Sequence, residues 1–343
     1  MGEAGASMAG QAPVAVVGAG SIGVAWALVF ARGGRAVRLH EPDAGRRAAA
    51  PRELMSRLAA LAAEELLSES PAAVSARVTV TADLRRAVDG VCYVQECAPE
   101  RLPVKRQLFA ELDAAAPARA VLASSSSALT CSAIAEGLDG AARCLIAHPG
   151  NPPYLLPVVE LVPGRGTAPQ TVAAADALLR AAGMSPVRLR REIEGFVFNR
   201  LQGAVLREAY NLVRDGVAAP EDIDAVVRDG LGRRWSVLGP FETVELNTRG
   251  GIDAHAVVMG PAYARMGAER GETACWDEEL VGLVSRAVRR RFPRQRWTEH
   301  VAWRDRALMI LDRCRRDHPL LAGPPLADSP QQAEKEEVPS RSQ

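Results

Sequence analysis

The sequence has almost no net charge: 42 Lys and Arg against 41 Asp and Glu leave +1. Nucleic-acid binding leaves a basic excess, so a nucleic acid is not an expected partner. The six cysteines include no C-x-x-C pair and no cluster with histidine. That argues against a zinc site or a disulfide framework, and for reduced thiols in the cytoplasm. No run of about 18 apolar residues is present to span a bilayer. The opening "MGEAGASMAGQA" has neither a basic n-region nor an apolar core, and Ala6 stands where a myristoylation signal needs Ser or Thr. Lysine is nearly missing: apart from Lys105 and Lys335, every basic residue is arginine.

What is present reads as a soluble globular chain, with 48% hydrophobic and 24% charged residues. Its 343 residues exceed one comfortable core, since cores stop growing near roughly 250–300 residues, so two domains are expected. Up to about Glu192, short apolar runs alternate with helical patterns, the signature of βαβ units and a parallel sheet. Strands are expected at 13–18, 35–41, 77–80, 90–96, 120–124 and 143–148, then at 158–162 and near 187–190, with a helix near 169–182. Beyond Glu192 strands vanish and helical periods follow at 196–214, 221–228, 241–247, 277–291 and 297–315. The fold class is therefore α/β, a Rossmann-type doubly wound, mostly parallel sheet followed by an all-helical C-terminal domain.

The first strand, "VAVVGAGSIG", runs into Gly18-x-Gly20-x-x-Gly23 and an amphipathic helix. Gly18 permits the tight turn, Gly20 lets a pyrophosphate approach the backbone, and Gly23 lets helix and strand pack closely. The pyrophosphate then meets unpaired N–H groups and the positive end of the helix dipole. Glu41 ends the second strand, where a carboxylate accepts hydrogen bonds from the adenosine ribose and repels a 2′-phosphate, favouring NAD over NADP. Gly18, Gly20, Ser21, Ile22, Gly23 and Glu41 are thus candidate cofactor contacts. The domain plan is a loose tail at 1–11, an NAD-binding domain at 12–192, a helical domain at 193–322, which the resemblance given below makes the substrate and dimerisation domain, and a second tail at 323–343.

One segment, "HPGNPPYLLPVVELVP", places five prolines between His148 and Pro163. His148 ends the sixth strand, at the carboxyl edge where open α/β sheets bind ligands. An alcohol oxidation needs a base to take the hydroxyl proton, and histidine has the nearest unperturbed pKa. Glu160 sits in an apolar strand, where a carboxylate needs a buried partner or a wet cleft; pairing with His148 supplies one. Prolines between them leave little entropy to lose on fixing their separation. Taken singly, a satisfied core histidine and a strand-edge glutamate are equally good readings.

The combination "VVGAGSIG", "SSSSALT", "AHPGNPPYLLPVVELVPG", "GFVFNRLQ" and "GLGRRWSVLGPFETVELN" resembles the λ-crystallin, or L-gulonate 3-dehydrogenase, branch of the 3-hydroxyacyl-CoA dehydrogenase superfamily, from about Val14 to Leu320. The resemblance implies an NAD-dependent oxidation of L-gulonate at C3 by a homodimer. It makes His148 the general base and Glu160 its orienting carboxylate. Ser127 becomes a hydrogen-bond partner of the reacting oxygen, and Asn199 a residue brought to the substrate. Glu100 and Lys105 match positions that contact the nicotinamide side of NAD, and in a chain that favours arginine a lysine at 105 suggests that a compact ammonium is wanted. Without the resemblance, Ser127 reads as a turn or N-cap, Asn199 as a helix-surface amide and Lys105 as a surface lysine. Arg233 and Arg234 suit a sugar-acid carboxylate, although exposed loop charges are the plainer reading.

Three departures stand out. Gly150 replaces the family's Val, which loosens one point of the loop. His40-Glu41 replaces Tyr-Asp, and the serine run replaces Ser-Asn-Thr-Ser. The last, with the missing His-Phe-Phe-Asn-Pro, speaks against thioester substrates. The enzymatic alternative is a 3-hydroxyacyl-CoA or short 3-hydroxy acid dehydrogenase. The alternative of another class is a crystallin-like structural protein that keeps the fold without catalysis.

Overall fold

A computed structural model describes residues 12–249, 251–270 and 293–318, together with Glu279, Arg286 and Arg290. The expected tails, 1–11 and 323–343, and most of the expected helix at 277–291 lie outside the described residues.

Eight strands form one sheet: β1 (Val14–Val17), β2 (Val37–His40), β3 (Val78–Thr81), β4 (Tyr93–Glu96), β5 (Val121–Ser124), β6 (Cys144–Pro149), β7 (Val158–Pro163) and β8 (Ser185–Arg188). Their order is β3-β2-β1-β4-β5-β6-β7-β8, and every neighbouring pair is parallel except β6 with β7. The strand order reverses between β1 and β4, the switch point at which such sheets bind ligands beyond the strands' carboxyl ends.

The crossovers carry α1 (Ser21–Arg32), α2 (Ala44–Ala63), α3 (Pro71–Ser75), α4 (Leu84–Val88), α5 (Leu102–Ala115), α6 (Cys131–Ile134) and α7 (Pro169–Ala181). Several starts are written locally. Asp43, Ser70, Asp83 and Thr130 accept N-cap hydrogen bonds for α2, α3, α4 and α6, and Pro169 opens α7 at the first turn. Because side chains alternate along a strand, β1 feeds two cores. Val14 and Val16 join Trp26, Phe30, Leu58 and Tyr93 on one face, while Ala15 and Val17 join Phe109, Leu112, Ile146 and Phe196 on the other.

By contacts the chain separates into two units. One runs to Glu208 and regains Thr298–Ile310; the other begins at Ala209. The sequence placed the change at 192/193, where strands stop. In the structure the first unit also keeps the opening turns of α8 (Phe198–Arg214) and part of the last helix, whose Met309 joins the first core. The second unit contains α9 (Pro220–Val226), a π-helical turn at Val227–Leu231, α10 (Gly232–Trp235), α11 (Pro240–Asn247) and α12 (Gly251–Arg270). The sequence reading missed α12, because Pro261 sits inside it and its apolar residues, Val257 and Val258 among them, are exposed instead of lining one buried face. The last helix, α13 (Trp297–Asp317), follows the periodicity at 297–315.

Candidate active site

The β6–β7 ladder sets His148 directly opposite Glu160. Across it, His148 Nδ1 lies 2.8 Å from Glu160 Oε2, and both side chains are buried. A carboxylate accepts, so Nδ1 carries the proton and Nε2 is left as the basic nitrogen. The other carboxylate oxygen, Oε1, accepts from the backbone N–H groups of Val197 (2.7 Å) and Phe198 (3.0 Å) at the start of α8. Glu160 therefore caps a helix with one oxygen and orients a histidine with the other. The rings of Phe196 and Phe198 flank the imidazole at centroid distances of 5.5 and 6.2 Å.

Next to Phe198, Asn199 donates from Nδ2 to the backbone carbonyl of Ser127 at 3.0 Å. The four serines of the run differ in how their hydroxyls are engaged. Ser124 donates to Glu96 (2.5 Å), Ser125 accepts from Trp26 Nε1 (3.1 Å) and Gln95 Nε2 (2.7 Å), and Ser126 donates to Glu100 (2.5 Å). Ser127 is exposed, and among the described residues its hydroxyl has no partner. His148, Glu160, Asn199 and Ser127 thus form one connected group.

Glu100 holds the serine turn. Its Oε1 accepts from the N–H groups of Ser127 (3.0 Å), Ala128 (3.1 Å) and Leu129 (3.4 Å). Burial works against its charge, but the Ser126 hydroxyl, the Lys105 ammonium and the N–H groups outweigh it and hold the carboxyl below its ordinary value. Lys105 is not the surface lysine that composition alone allowed. It is buried, with its ammonium 2.8 and 3.0 Å from the oxygens of Glu96, 3.2 Å from the Ala98 carbonyl and 3.4 Å from Glu100 Oε2. Its ammonium braces both Glu96 and Glu100. Sequence reading missed Glu96, and the nearest signal was a glutamate at the end of an expected strand.

The glycine turn fits a dinucleotide diphosphate. Gly18 has φ +103°, and a Cβ there would lie 2.8 Å from the Cys97 carbonyl oxygen; a Cβ at Gly23 would meet the Gly18 carbonyl oxygen at 1.8 Å. At Gly20 nothing among the described residues lies within 4 Å of such a Cβ, so the space above the start of α1 is open. Beside it is a cleft of about 700 Å³ lined by Gly18, Gly20, Glu41, Arg46, Ala98 and Leu108, among others. Glu41 accepts from the N–H of Ala19 (2.8 Å) through Oε2 and of Asp43 (3.0 Å) through Oε1. Each oxygen keeps a further lone pair for a ribose hydroxyl. Ser21 and Ile22 open α1 at this turn.

One expectation changes, and another is met in its plainer form. Gly150 does not loosen the proline-rich loop: it is buried, its N–H donates to Val158 (3.0 Å), and an added Cβ would sit 3.0 Å from that of Leu156. Arg233 and Arg234 are exposed on α10. Burial pushes the Cys97 thiol beside the cleft up to about 12, which leaves it an inert thiol. Among the described residues, no group of three His, Cys, Asp or Glu is placed to hold a metal ion.

The glycine cradle, the open cleft at the switch point and the histidine–carboxylate pair define a Rossmann-type NAD-dependent dehydrogenase acting on a CH–OH group. The chain belongs to the 3-hydroxyacyl-CoA dehydrogenase family: residues 13–193 match its NAD-binding domain and residues 195–281 its C-terminal domain. It is 41% identical to a lambda-crystallin homolog of Bos taurus over 89% of this chain and 97% of that protein. It is 39% identical to an L-carnitine dehydrogenase of Streptomyces griseus over 86% of this chain and 88% of that one. Among solved structures it resembles a 5-formyl-3-hydroxy-2-methylpyridine 4-carboxylic acid 5-dehydrogenase, an NAD+-dependent dismutase, with a TM-score of 0.73 and 27% identity over 91% of this chain and 99% of the other.

The Glu160 anchor has a consequence for stability. Burial opposes its charge, but the bonds from His148, Phe198 and Val197 prevail and hold its pKa below the ordinary 4.5. Its stabilising contribution is therefore complete above pH 4.5 and is lost as pH falls through the lowered folded value. Glu160→Gln removes the titration, so the fall in urea midpoint from pH 7 to pH 3 should be smaller in the variant than in the parent. An equal fall in both would contradict this account.

Proposed function

We propose that the chain oxidises the C3 hydroxyl of L-gulonate to 3-dehydro-L-gulonate with NAD. The observation that carries the chemistry is the buried 2.8 Å pair of His148 and Glu160 at the carboxyl edge of the sheet. The choice of substrate is supported by similarity to the lambda-crystallin homolog across nearly its whole length.

In this reading Gly18, Gly20, Ser21, Ile22, Gly23 and Glu41 would hold NAD, which would supply the hydride acceptor. His148 takes the hydroxyl proton on Nε2 as the C–H bond breaks. Glu160 keeps the ring in the tautomer that leaves Nε2 basic, and its charge stabilises the imidazolium that forms. The Ser127 hydroxyl donates to the substrate oxygen, and Asn199, held by the Ser127 carbonyl, offers its remaining amide capacity. Glu100 and Lys105 stiffen the wall on the nicotinamide side through Glu96 and the serine turn.

His148→Gln should lower kcat by roughly 10²–10⁴ while NADH affinity stays within about threefold, read by steady-state kinetics and fluorescence titration. Turnover within a few fold of the parent would remove the base assignment, and with unchanged affinity for NADH it would favour another catalytic group over the structural, non-catalytic reading.

A second reading is oxidation of a different short 3-hydroxy acid, favoured by the 39% identity to an L-carnitine dehydrogenase. Comparing kcat/KM for L-gulonate, L-carnitine, 3-hydroxybutyrate and 3-hydroxybutyryl-CoA separates these. L-gulonate should lead by at least about tenfold; a lead by any of the others transfers the proposal to that substrate.

The protein is further proposed to work as a cytoplasmic homodimer through its helical unit, where Phe241, Leu246, Val257 and Val258 are exposed. Light scattering should return twice the 36.5 kDa chain mass, and a monomer at micromolar concentration would refute the dimer.

A further inference from the structure

Arg57, on α2, lies outside every motif that marks the site. Its guanidinium grips Ser21, the first residue of α1, at two atoms: Nη1 donates to the Ser21 carbonyl at 2.9 Å and Nη2 to its hydroxyl at 2.8 Å. Glu53, one turn earlier, pairs with the same Nη2. On its other side the guanidinium carbon lies 5.6 Å from the ring centroid of Tyr154, a buried residue of the loop between His148 and Glu160. Tyr154 is held elsewhere as well. Its carbonyl accepts from Arg32, at the far end of α1 (3.3 Å), and its hydroxyl donates to Asp305 (3.4 Å).

A cation beside the positive end of a helix dipole is disfavoured by that dipole. Arg57 nevertheless stays at the start of α1, paired with Glu53, where the diphosphate of the cofactor is received. The planar fork explains the residue type, because one guanidinium bonds two atoms of Ser21 while its carbon lies over a tyrosine ring.

We propose that Arg57 is a positioning residue for cofactor binding: it ties the diphosphate-receiving turn at Ser21 to Tyr154 in the loop that leads away from His148. The turn is then preorganised by a side chain from a different helix, and the two halves of the site, cofactor turn and base loop, share one fixed point. Neither Arg57 nor Tyr154 needs to touch the reacting atoms.

Arg57→Met keeps the length of the side chain and removes its charge and hydrogen bonds. It should raise the Kd for NADH and the KM for NAD by about tenfold, with kcat within about threefold of the parent, and Arg57→Lys should recover part of the loss. Tyr154→Leu, which removes the ring, should weaken NADH binding several-fold and add little on top of Arg57→Met, whereas Tyr154→Phe, which keeps the ring, should bind as the parent does. NADH affinity within twofold of the parent in Arg57→Met overturns the proposal, as does a fall confined to kcat or a double variant whose losses multiply in full. If Arg57→Met does not fold, the tyrosine pair decides: equal NADH affinity in Tyr154→Leu and Tyr154→Phe overturns it.

Discussion

The Glu160 carboxylate is the constraint on which the site depends. One oxygen meets His148 at 2.8 Å; the other accepts the first free N–H groups of α8 at 2.7 and 3.0 Å. A buried carboxylate is costly without such partners, and here they are the imidazole to be oriented and a helix start whose N–H groups need an acceptor. The same anchoring sets Asn199, one residue further on, within reach of the Ser127 carbonyl.

A second buried charge organises the neighbouring wall. Lys105 sits among oxygens of Glu96, Ala98 and Glu100, and Glu100 in turn collects the N–H groups of the serine turn. The turn is therefore held from below by an ion pair while its last hydroxyl is left uncommitted. An arginine in place of Lys105 would have to fit a wide planar fork where a compact point charge is enclosed, which is the physical content of finding a lysine in a chain that almost always uses arginine.

Much of this was legible in the sequence. All eight strands fall at or within a few residues of the expected places, because buried parallel strands are short apolar runs and the glycine turn marks the first crossover. His148 and Glu160 were readable as a pair because a carboxylate in an apolar strand asks for a partner. Less legible were Glu96, buried under Lys105, and α12, whose Pro261 and exposed apolar residues break the pattern by which a helix announces itself. The Gly150 reading changed for a packing reason: a residue without a side chain looks flexible in a string of letters, but Leu156 and Val158 occupy the space around it.

Composition and spacing by themselves determined the fold class, the cofactor turn and the candidate base, since these rest on local rules: period-two and period-3.6 burial, glycine where backbone comes close, and a titratable group at a strand end. Tertiary structure alone decided which serine hydroxyl remains available, where the Lys105 ammonium is spent, and that Arg57 reaches both Ser21 and Tyr154. Those outcomes depend on which groups from distant segments meet in a low-dielectric interior, and a hydrogen bond or ion pair satisfied there leaves no periodic trace along the chain.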